Sequence, residues 1–166
     1  GKKVRVLGET QKAIKEGYQL GSQKEKLKMS KSKYFISGTE AIGIGAIAAG
    51  LDIYLAYPMT PASPVLHFLA KRQLENNILV FQPENEIAVI NAALGASFTG
   101  AKAMVGTSGG GFALMSEGLS LAAMTELPLV IYLGQRPAPA TGLATHTGQG
   151  DLKFALNAGH GEFLRI

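Results

Sequence analysis

The sequence predicts an α/β protein with an open, mostly parallel β-sheet and helices on both faces. Short runs rich in β-branched and aromatic residues alternate with longer helical stretches rich in alanine and glycine. These runs begin 25, 24 and 27 residues apart, which is the length of one strand, one helix and two short loops. The runs are apolar throughout, as expected for strands that helices cover on both faces.

The predicted elements follow one another from residue 34 to the end of the chain. Four strands are expected, at 53–57, 78–82, 102–107 and 129–134. Helices are expected between and after them, at 39–49, 64–75, 85–98, 112–125 and 152–157. Because the carboxyl ends of parallel strands share one edge of a sheet, we expect ligands to bind at that edge.

Residues 1–33 differ in charge from the rest of the chain. They hold ten Lys and Arg against three Glu, whereas residues 34–166 hold six Lys and Arg against nine Asp and Glu. We interpret residues 1–33 as a basic linker or the remnant of an upstream domain, and residues 34–166 as the α/β domain. The acidic balance of this domain argues against nucleic-acid binding.

The chain contains no cysteine among its 166 residues. Disulfides, thiolate zinc sites and iron–sulfur clusters ligated by this chain are therefore excluded. The composition fits a reducing compartment, so we expect a cytoplasmic protein. We expect no membrane segment either, because the longest uncharged run, residues 53–70, contains three prolines.

Residues 43–48 match a dinucleotide-binding fingerprint, G-x-G-x-x-A, in their letters. The glycines fall inside a predicted helix, and no acidic residue follows about 20 positions later. We therefore interpret the glycines as helix-packing positions. A flavodoxin-like or Rossmann-like nucleotide-binding module, or a subunit that serves assembly only, is the alternative function for the chain.

Two loops leave predicted strand ends with residues suited to ligand binding. Residues 107–111 (TSGGG) join a strand to a helix, where glycines let the backbone approach a ligand; a tight turn at a subunit contact is the alternative. Residues 56–64 (AYPMTPASP) are stiffened by prolines, and the hydroxyls of Thr60 and Ser63 are candidate carboxylate ligands. For Ser63, capping of the following helix is the favoured interpretation.

Two glutamates follow the second predicted strand. Glu84 and Glu86 flank Asn85, and residues 87–101 are uncharged, so a carboxylate that faces inward lies in an apolar setting. Such a setting suits a group that exchanges a proton near neutral pH. Favourable electrostatics at a helix start is the alternative.

One arginine follows the fourth predicted strand. Cations are scarce in the domain, so Arg136 is a candidate partner for an anion, with a surface salt bridge as the alternative. A polar cluster comes next along the chain. It consists of Thr145, His146, Gln149 and Asp151. No spacing of histidines and carboxylates indicates a metal site.

Five segments occur in an order and spacing that together resemble one protein family: YPMTP (57–61), QPENEIAVINAALGASFTGAKAM (82–104), TSGGGFALMSEGLSLA (107–122), ELPLVI (126–131) and QRPAPATGLATHTGQGDL (135–152). They resemble the α subunit of 2-oxoacid:ferredoxin oxidoreductases, in the domain that holds the pyrimidine ring of thiamine diphosphate. The resemblance covers about residues 34–166. It implies the α/β fold of the pyrimidine-binding domain. It also implies oxidative decarboxylation of a 2-oxoacid to acyl-CoA, with electrons passed to ferredoxin.

The resemblance implies a catalytic and cofactor-binding role for Glu86. In thiamine enzymes a glutamate bonds the ring nitrogen N1′ and shifts the aminopyrimidine to its imino form, which takes the proton from C2. The family glutamate opens a helix and is followed by glycines nine and fourteen positions later. Glu86 keeps that spacing with Gly95 and Gly100, whereas Glu84 does not.

The same matching implies further site residues. Thr60 and Arg136 resemble the groups that orient the substrate carboxylate. The positions expected to line the cofactor are Tyr57, Pro58, Ser108, Gly109 and Gly110. The chain departs from the family at Gly110, where relatives often have proline, and at His146, where Lys or Arg is common. We expect 2-oxoglutarate or a broad range of 2-oxoacids as substrates.

The resemblance also implies partners. A β subunit is expected to carry the diphosphate-binding half of the site, Mg²⁺ and the iron–sulfur clusters, with no metal on this chain. Ferredoxin, a 2-oxoacid and coenzyme A are the other expected partners. The chain is expected in a hetero-oligomer with α–α or α–β contacts, and to be inactive without its β subunit.

Overall fold

The computed structural model describes residues 34–135 and 150–164. The chain divides after Phe35 into two units, and every element named below belongs to the second. The predicted domain boundary after residue 33 stays a prediction. The positions of Arg136 and His146 lie outside the described residues.

Four strands form one parallel sheet, and each begins within one residue of its predicted start. They are β1 (Ile53–Leu55), β2 (Leu79–Phe81), β3 (Ala103–Ser108) and β4 (Leu129–Gly134). Their order in the sheet is β2-β1-β3-β4, and every neighbouring pair is parallel. The prediction of an open α/β fold is confirmed.

The strand order changes direction at β1. Ile53 pairs with Leu79 of β2 on one side and with Ala103 of β3 on the other. In open parallel sheets, a crevice forms outside the carboxyl ends of the strands where the order reverses. We therefore expect a ligand crevice between the loops that follow β1 and β3.

The helices of the described residues lie where the sequence predicts them, but two of them are divided. The predicted helix 64–75 is two helices, and the predicted helix 112–125 starts three residues earlier and is also two. The helices are α1 (Gly38–Ala48), α2 (Ser63–Ala70), α3 (Gln73–Asn76), α4 (Glu86–Phe98), α5 (Gly109–Leu114), α6 (Ser116–Met124) and α7 (Asp151–Asn157).

Two apolar layers cover the two faces of the sheet. Tyr54 and Met104 point to one face, where α2 packs, and Leu55 and Val105 point to the other, where α4 packs. A fully buried aliphatic side chain contributes about 1.5–3 kcal/mol, so both layers hold the strands in register. The prediction of helices on both faces is confirmed.

Of the two glycines in the G-x-G-x-x-A match, Gly43 is a helix-packing position, as predicted, whereas Gly45 is exposed and packs against no described residue. Residues 43–48 lie inside α1. A methyl group on Gly43 would overlap the ring of Phe68 in α2, with ring carbon Cε1 at 2.5 Å. The glycines do not join a strand to a helix, so the segment lacks the geometry of a dinucleotide site.

The start of α1 is fixed by a capping box. The Ser37 hydroxyl accepts a hydrogen bond from the Glu40 backbone N–H at 3.2 Å, and the Glu40 carboxylate accepts one from the Ser37 N–H at 2.7 Å. The bond from the Ser37 backbone is the main reason that the pKa of Glu40 lies below its ordinary value.

Candidate active site

Glu86 is placed by the way in which α4 begins. The Asn85 side chain accepts a hydrogen bond from the Ala88 N–H at 2.9 Å and so caps the helix. The cap makes Glu86 the first helical residue, and its side chain is only 4% exposed. Glu84, two residues earlier, is exposed. The structure therefore separates two glutamates that the sequence left as candidates.

The carboxylate of Glu86 lies against the backbone that follows β3. A methyl group on Gly111 would lie 2.8 Å from Glu86 Oε1 and 2.7 Å from its Cγ, so the carboxyl group fills the space that a side chain at this position would need. Thr107, near the end of β3, adjoins the same space. Glu86 thus reaches the ligand edge of the sheet from a neighbouring helix.

One oxygen of this carboxylate has no hydrogen-bond partner among the residues that the structure describes. Glu86 Oε1 is buried, and no donor within residues 34–135 and 150–164 bonds it. An ordinary structural carboxylate in a folded core is paired, because an unpaired one is costly to bury. A free buried oxygen can bond a ring nitrogen or its proton when a ligand enters the crevice.

The segment after β3 adds a second unpartnered group. Ser108 is fully buried, and its Oγ has no hydrogen-bond partner among the described residues. Gly109 and Gly110 follow it, both partly exposed, and a methyl group on Gly110 would meet nothing within 4 Å. Gly110 therefore faces open space, where a larger residue would fit.

The loop after β1 extends across the sheet edge toward β4. A methyl group on Gly134, the last residue of β4, would lie 3.1 Å from the backbone nitrogen of Ala62 and 3.3 Å from Pro61. The Thr60–Pro61 peptide bond is cis. Tyr57, Pro58 and Thr60 are exposed within this loop.

Ser63 does not cap α2, so that prediction is wrong. The helix includes Ser63 as its first residue, its N-cap is Ala62, and no side chain bonds the helix start. The Met59 carbonyl accepts the N–H groups of Ala62 and Ser63 at 2.8 and 3.2 Å, so the turn closes one residue earlier than the proline position indicates.

The predicted site residues fall into three groups in the structure. Glu86, Ser108, Gly109 and Gly110 come together where β3 ends. Tyr57, Pro58 and Thr60 lie in the loop after β1. Arg136 lies outside the described residues, but its neighbour in sequence, Gln135, directly follows the strand end that contacts Pro61.

Sequence reasoning missed the position of Asp151. The sequence places it in a polar cluster with Thr145, His146 and Gln149, which lie outside the described residues. The structure buries Asp151 beside Gly109 at the end of β3. No local pattern points to this contact, because 42 positions of sequence separate the two residues.

The described residues contain neither a metal-binding cluster of side chains nor a membrane-spanning helix. In residues 34–135 and 150–164, no three histidine or carboxylate side chains are close enough together to bind a metal ion. Over the same ranges, none of the helices has the length and apolar character needed to cross a membrane.

With this geometry in place, comparison with known proteins identifies the family. Residues 44–162 match the family model described as "Pyruvate flavodoxin/ferredoxin oxidoreductase, thiamine diP-bdg". The chain belongs to this family. One feature of the residues present is compatible with thiamine diphosphate, since Glu86 holds a buried oxygen beside Gly111 that no residue of 34–135 or 150–164 bonds.

Curated relatives agree with the family. The chain is 40% identical to 2-oxoacid:ferredoxin oxidoreductase 1, subunit alpha, of Sulfurisphaera tokodaii, over 93% of this chain and 27% of the relative. It is 44% identical to the 2-oxoglutarate synthase subunit KorA of Archaeoglobus fulgidus, over 77% and 37%. It is 48% identical to the 2-oxoglutarate oxidoreductase subunit KorA of Mycobacterium tuberculosis, over 76% and 20%.

A solved structure also shares the fold. A 2-oxoglutarate:ferredoxin oxidoreductase from Magnetococcus marinus, with 2-oxoglutarate, coenzyme A and succinyl-CoA bound, superposes with a TM-score of 0.70 at 37% identity. The match covers 95% of this chain and 29% of that chain. The chain spans about a fifth to two fifths of the length of these relatives.

Proposed function

We propose that this chain supplies the pyrimidine-binding half of the active site of a thiamine diphosphate-dependent 2-oxoacid:ferredoxin oxidoreductase, as part of its α subunit. The observation that carries the proposal is the buried, unpartnered Oε1 of Glu86 at the ligand edge of the sheet. Family membership and relatives named as α subunits support the same assignment.

Glu86 has the central role in this proposal. Its carboxyl group bonds N1′ of the aminopyrimidine and holds or releases a proton at that atom. Bound thiamine diphosphate supplies a carbon nucleophile that attacks the 2-oxoacid and accepts the electrons left by decarboxylation. Burial of Glu86 excludes water from the N1′ bond, which strengthens the bond relative to one in solvent.

The other residues orient ligands. Ser108 Oγ is a free donor or acceptor on the cofactor side of the crevice, and residues 109–110 let the ring approach the backbone. Thr60 and Arg136 hold the substrate carboxylate. Contact of Gly134, the last residue of β4, with Pro61 supports this pairing, because Pro61 follows Thr60 and Gly134 precedes Arg136 by two positions.

The other half of the proposed thiamine site lies on a partner subunit. We propose a β subunit that carries the diphosphate-binding half, Mg²⁺ and the iron–sulfur clusters, because this chain has no cysteine. Ferredoxin accepts the electrons and coenzyme A accepts the acyl group. The substrate class is 2-oxoglutarate or a broad range of 2-oxoacids, and the enzyme is cytoplasmic.

Exchange of the C2 proton of thiamine diphosphate in the assembled α/β enzyme tests the role of Glu86. Glu86→Gln is expected to abolish rapid exchange, because an amide cannot shuttle a proton at N1′. Glu84→Gln is the matched control, since Glu84 is exposed two residues away, and it is expected to exchange normally. Normal exchange in Glu86→Gln would remove Glu86 from the mechanism.

Substrate kinetics test Arg136 separately. Arg136→Ala is expected to raise the KM for the 2-oxoacid with a smaller change in kcat, as for a group that binds the substrate carboxylate in both ground and transition states. An unchanged KM would place Arg136 outside the substrate site and leave the role of Glu86 intact.

A further inference from the structure

A second buried carboxylate lies beside the glycines that follow β3. Asp151, the first residue of α7, is 5% exposed. Its Oδ2 has no hydrogen-bond partner within the part of the chain that the structure describes. Burial of a carboxylate without a donor is costly, so a packing or functional reason must keep this side chain in place.

Contact with Gly109 accounts for the position of Asp151. A methyl group on Gly109 would lie 2.6 Å from Oδ2 and closer still to the other carboxyl atoms of Asp151. The carboxyl group therefore occupies the space of the side chain that position 109 lacks. Any residue larger than glycine at 109 displaces Asp151 or the backbone of α5.

Gly111 has the same relation to a different carboxylate. The space of its missing side chain is taken by Thr107 Oγ1 and by Glu86, whose Oε1 lies 2.8 Å from the position of a methyl group. Residues two apart in a helix point about 200° apart around its axis, so the two carboxyl groups flank the first turn of α5 from opposite sides. Gly110, between them, faces open space.

We propose that Asp151 is a positioning residue for the thiamine site. Acting through Gly109, it holds residues 108–110 in place and so sets the backbone on which Glu86 and Ser108 rely for their geometry. Asp151 itself does not touch the cofactor. This inference rests on the proposed function, since the geometry in question is that of the cofactor crevice.

A double-mutant cycle in the assembled α/β enzyme tests the contact. The variants are Gly109→Ala, Asp151→Ala and the double variant, with Gly45→Ala as the matched glycine control, because a methyl group on Gly45 meets nothing within 4 Å. The readouts are the Kd for thiamine diphosphate and the Tm of the cofactor-free complex.

Each single variant is expected to raise the Kd by about tenfold or more, since small displacements of positioning groups have effects of that size or larger. The double variant is expected to bind no more weakly than the worse single variant, because the new methyl group fits the space that Asp151 leaves. Effects that multiply in the double variant, or an Asp151→Ala enzyme that matches Gly45→Ala, would overturn the proposal.

Asp151→Asn separates positioning from charge. The amide keeps the size of the carboxyl group, so the Kd and the C2 exchange rate at saturating cofactor are expected to stay near wild type. Asp151→Ala is expected to slow that exchange. Equal loss in both variants would contradict a role through shape.

Assembly gives a further readout if Gly109→Ala does not fold. If the double variant assembles, the result supports the contact between Gly109 and Asp151. If neither Gly109→Ala nor the double variant assembles, the result overturns it. A failure of the proposed contact between Asp151 and Gly109 can be distinguished from a failure of the proposed function. If wild type does not bind thiamine diphosphate, or Glu86→Gln exchanges normally, the proposed function fails, while coupling in Tm still reports on the contact.

Discussion

Buried polar groups differ in their hydrogen bonding between the two edges of the sheet, the amino edge where the strands begin and the carboxyl edge where they end. At the amino edge, Asp52 accepts a hydrogen bond from the Lys102 N–H at 2.8 Å, and the buried Ser97 hydroxyl donates to the Pro128 carbonyl at 2.6 Å. At the carboxyl edge, three buried side chains have an oxygen without a partner among the described residues. They are Glu86, Ser108 and Asp151.

We interpret the bonded groups at the amino edge as contributing to stability and the unbonded groups at the carboxyl edge as contributing to function. Polar groups of a folded core are nearly always bonded, and each such bond contributes about 1 kcal/mol. The amino edge follows this rule and holds helices to strands. The carboxyl edge does not among the described residues. Under the proposed function, a ligand bound at Glu86 and Ser108 accounts for this, and the proposed contact with Gly109 accounts for it at Asp151.

The largest expected effect comes from filling the space over Gly111. Gly111→Ala puts a methyl group against Thr107 Oγ1, the nearest atom, and against Cγ and Oε1 of Glu86, so these side chains must shift. The Kd for thiamine diphosphate in the assembled enzyme is expected to rise by about 100-fold, because misplacement of about 1 Å has effects of this size. Binding as tight as that of the Gly45→Ala control would show that the crevice does not depend on Glu86.

A pair of matched serine variants compares the two edges directly. Ser97→Ala removes a buried hydrogen bond and is expected to cost about 1–2 kcal/mol of unfolding free energy, with no change in cofactor affinity. Ser108→Ala removes an oxygen that bonds nothing in the described residues, so it is expected to leave stability unchanged or raised and to weaken cofactor binding. The Tm and the Kd for thiamine diphosphate, measured on both variants, check these expectations. Weaker cofactor binding in Ser97→Ala together with lower stability in Ser108→Ala would contradict them.

Loss of the α4 cap is expected to affect both stability and exchange. Asn85→Ala leaves the Ala88 N–H without its acceptor and costs about 1 kcal/mol. Because the cap fixes where the helix begins, the C2 exchange rate is also expected to fall. Asn85→Asp, which keeps an acceptor, serves as the control and is expected to preserve both.

The smallest effect is expected at Tyr54. Its buried hydroxyl bonds no described residue, and burial raises the pKa of this phenol, with a further contribution from Tyr132. Tyr54→Phe removes an unsatisfied group from the core while keeping the ring, so Tm is expected to stay within a few degrees of wild type, a shift of about 1 kcal/mol or less. Affinity for thiamine diphosphate is expected to be unchanged. A large loss of affinity would show that the site extends to the face of the sheet on which α2 packs.

The sequence was sufficient to predict the sheet and where its helices lie. Apolar runs at regular intervals mark β1 to β4, since strands buried on both faces need such runs wherever they occur. Burial of Glu86 also has a local basis, because Asn85 is a strong helix cap and sets the first helical residue. The role of Glu86 stays a prediction.

The contacts at the start of α5 could not be predicted in this way. Low helix propensity of glycine indicates a turn at residues 109–111, yet the helix begins at Gly109, and side chains distant in sequence lie beside Gly109 and Gly111. Asp151 reaches that place through tertiary packing, which no local pattern encodes. The predicted helix 112–125 is divided at Met115, a fully buried residue, and the residue pattern used to predict the helix does not mark that division.

The state of the pyrimidine nitrogen tests the central claim most directly. Thiamine diphosphate labelled with ¹⁵N at N1′, bound to the assembled enzyme, reports by NMR whether that nitrogen shares a proton with a carboxyl group. We predict a protonated or strongly hydrogen-bonded N1′ in wild type and in Glu84→Gln, and loss of that signal in Glu86→Gln. The same N1′ signal in Glu86→Gln as in wild type would contradict the assignment of Glu86.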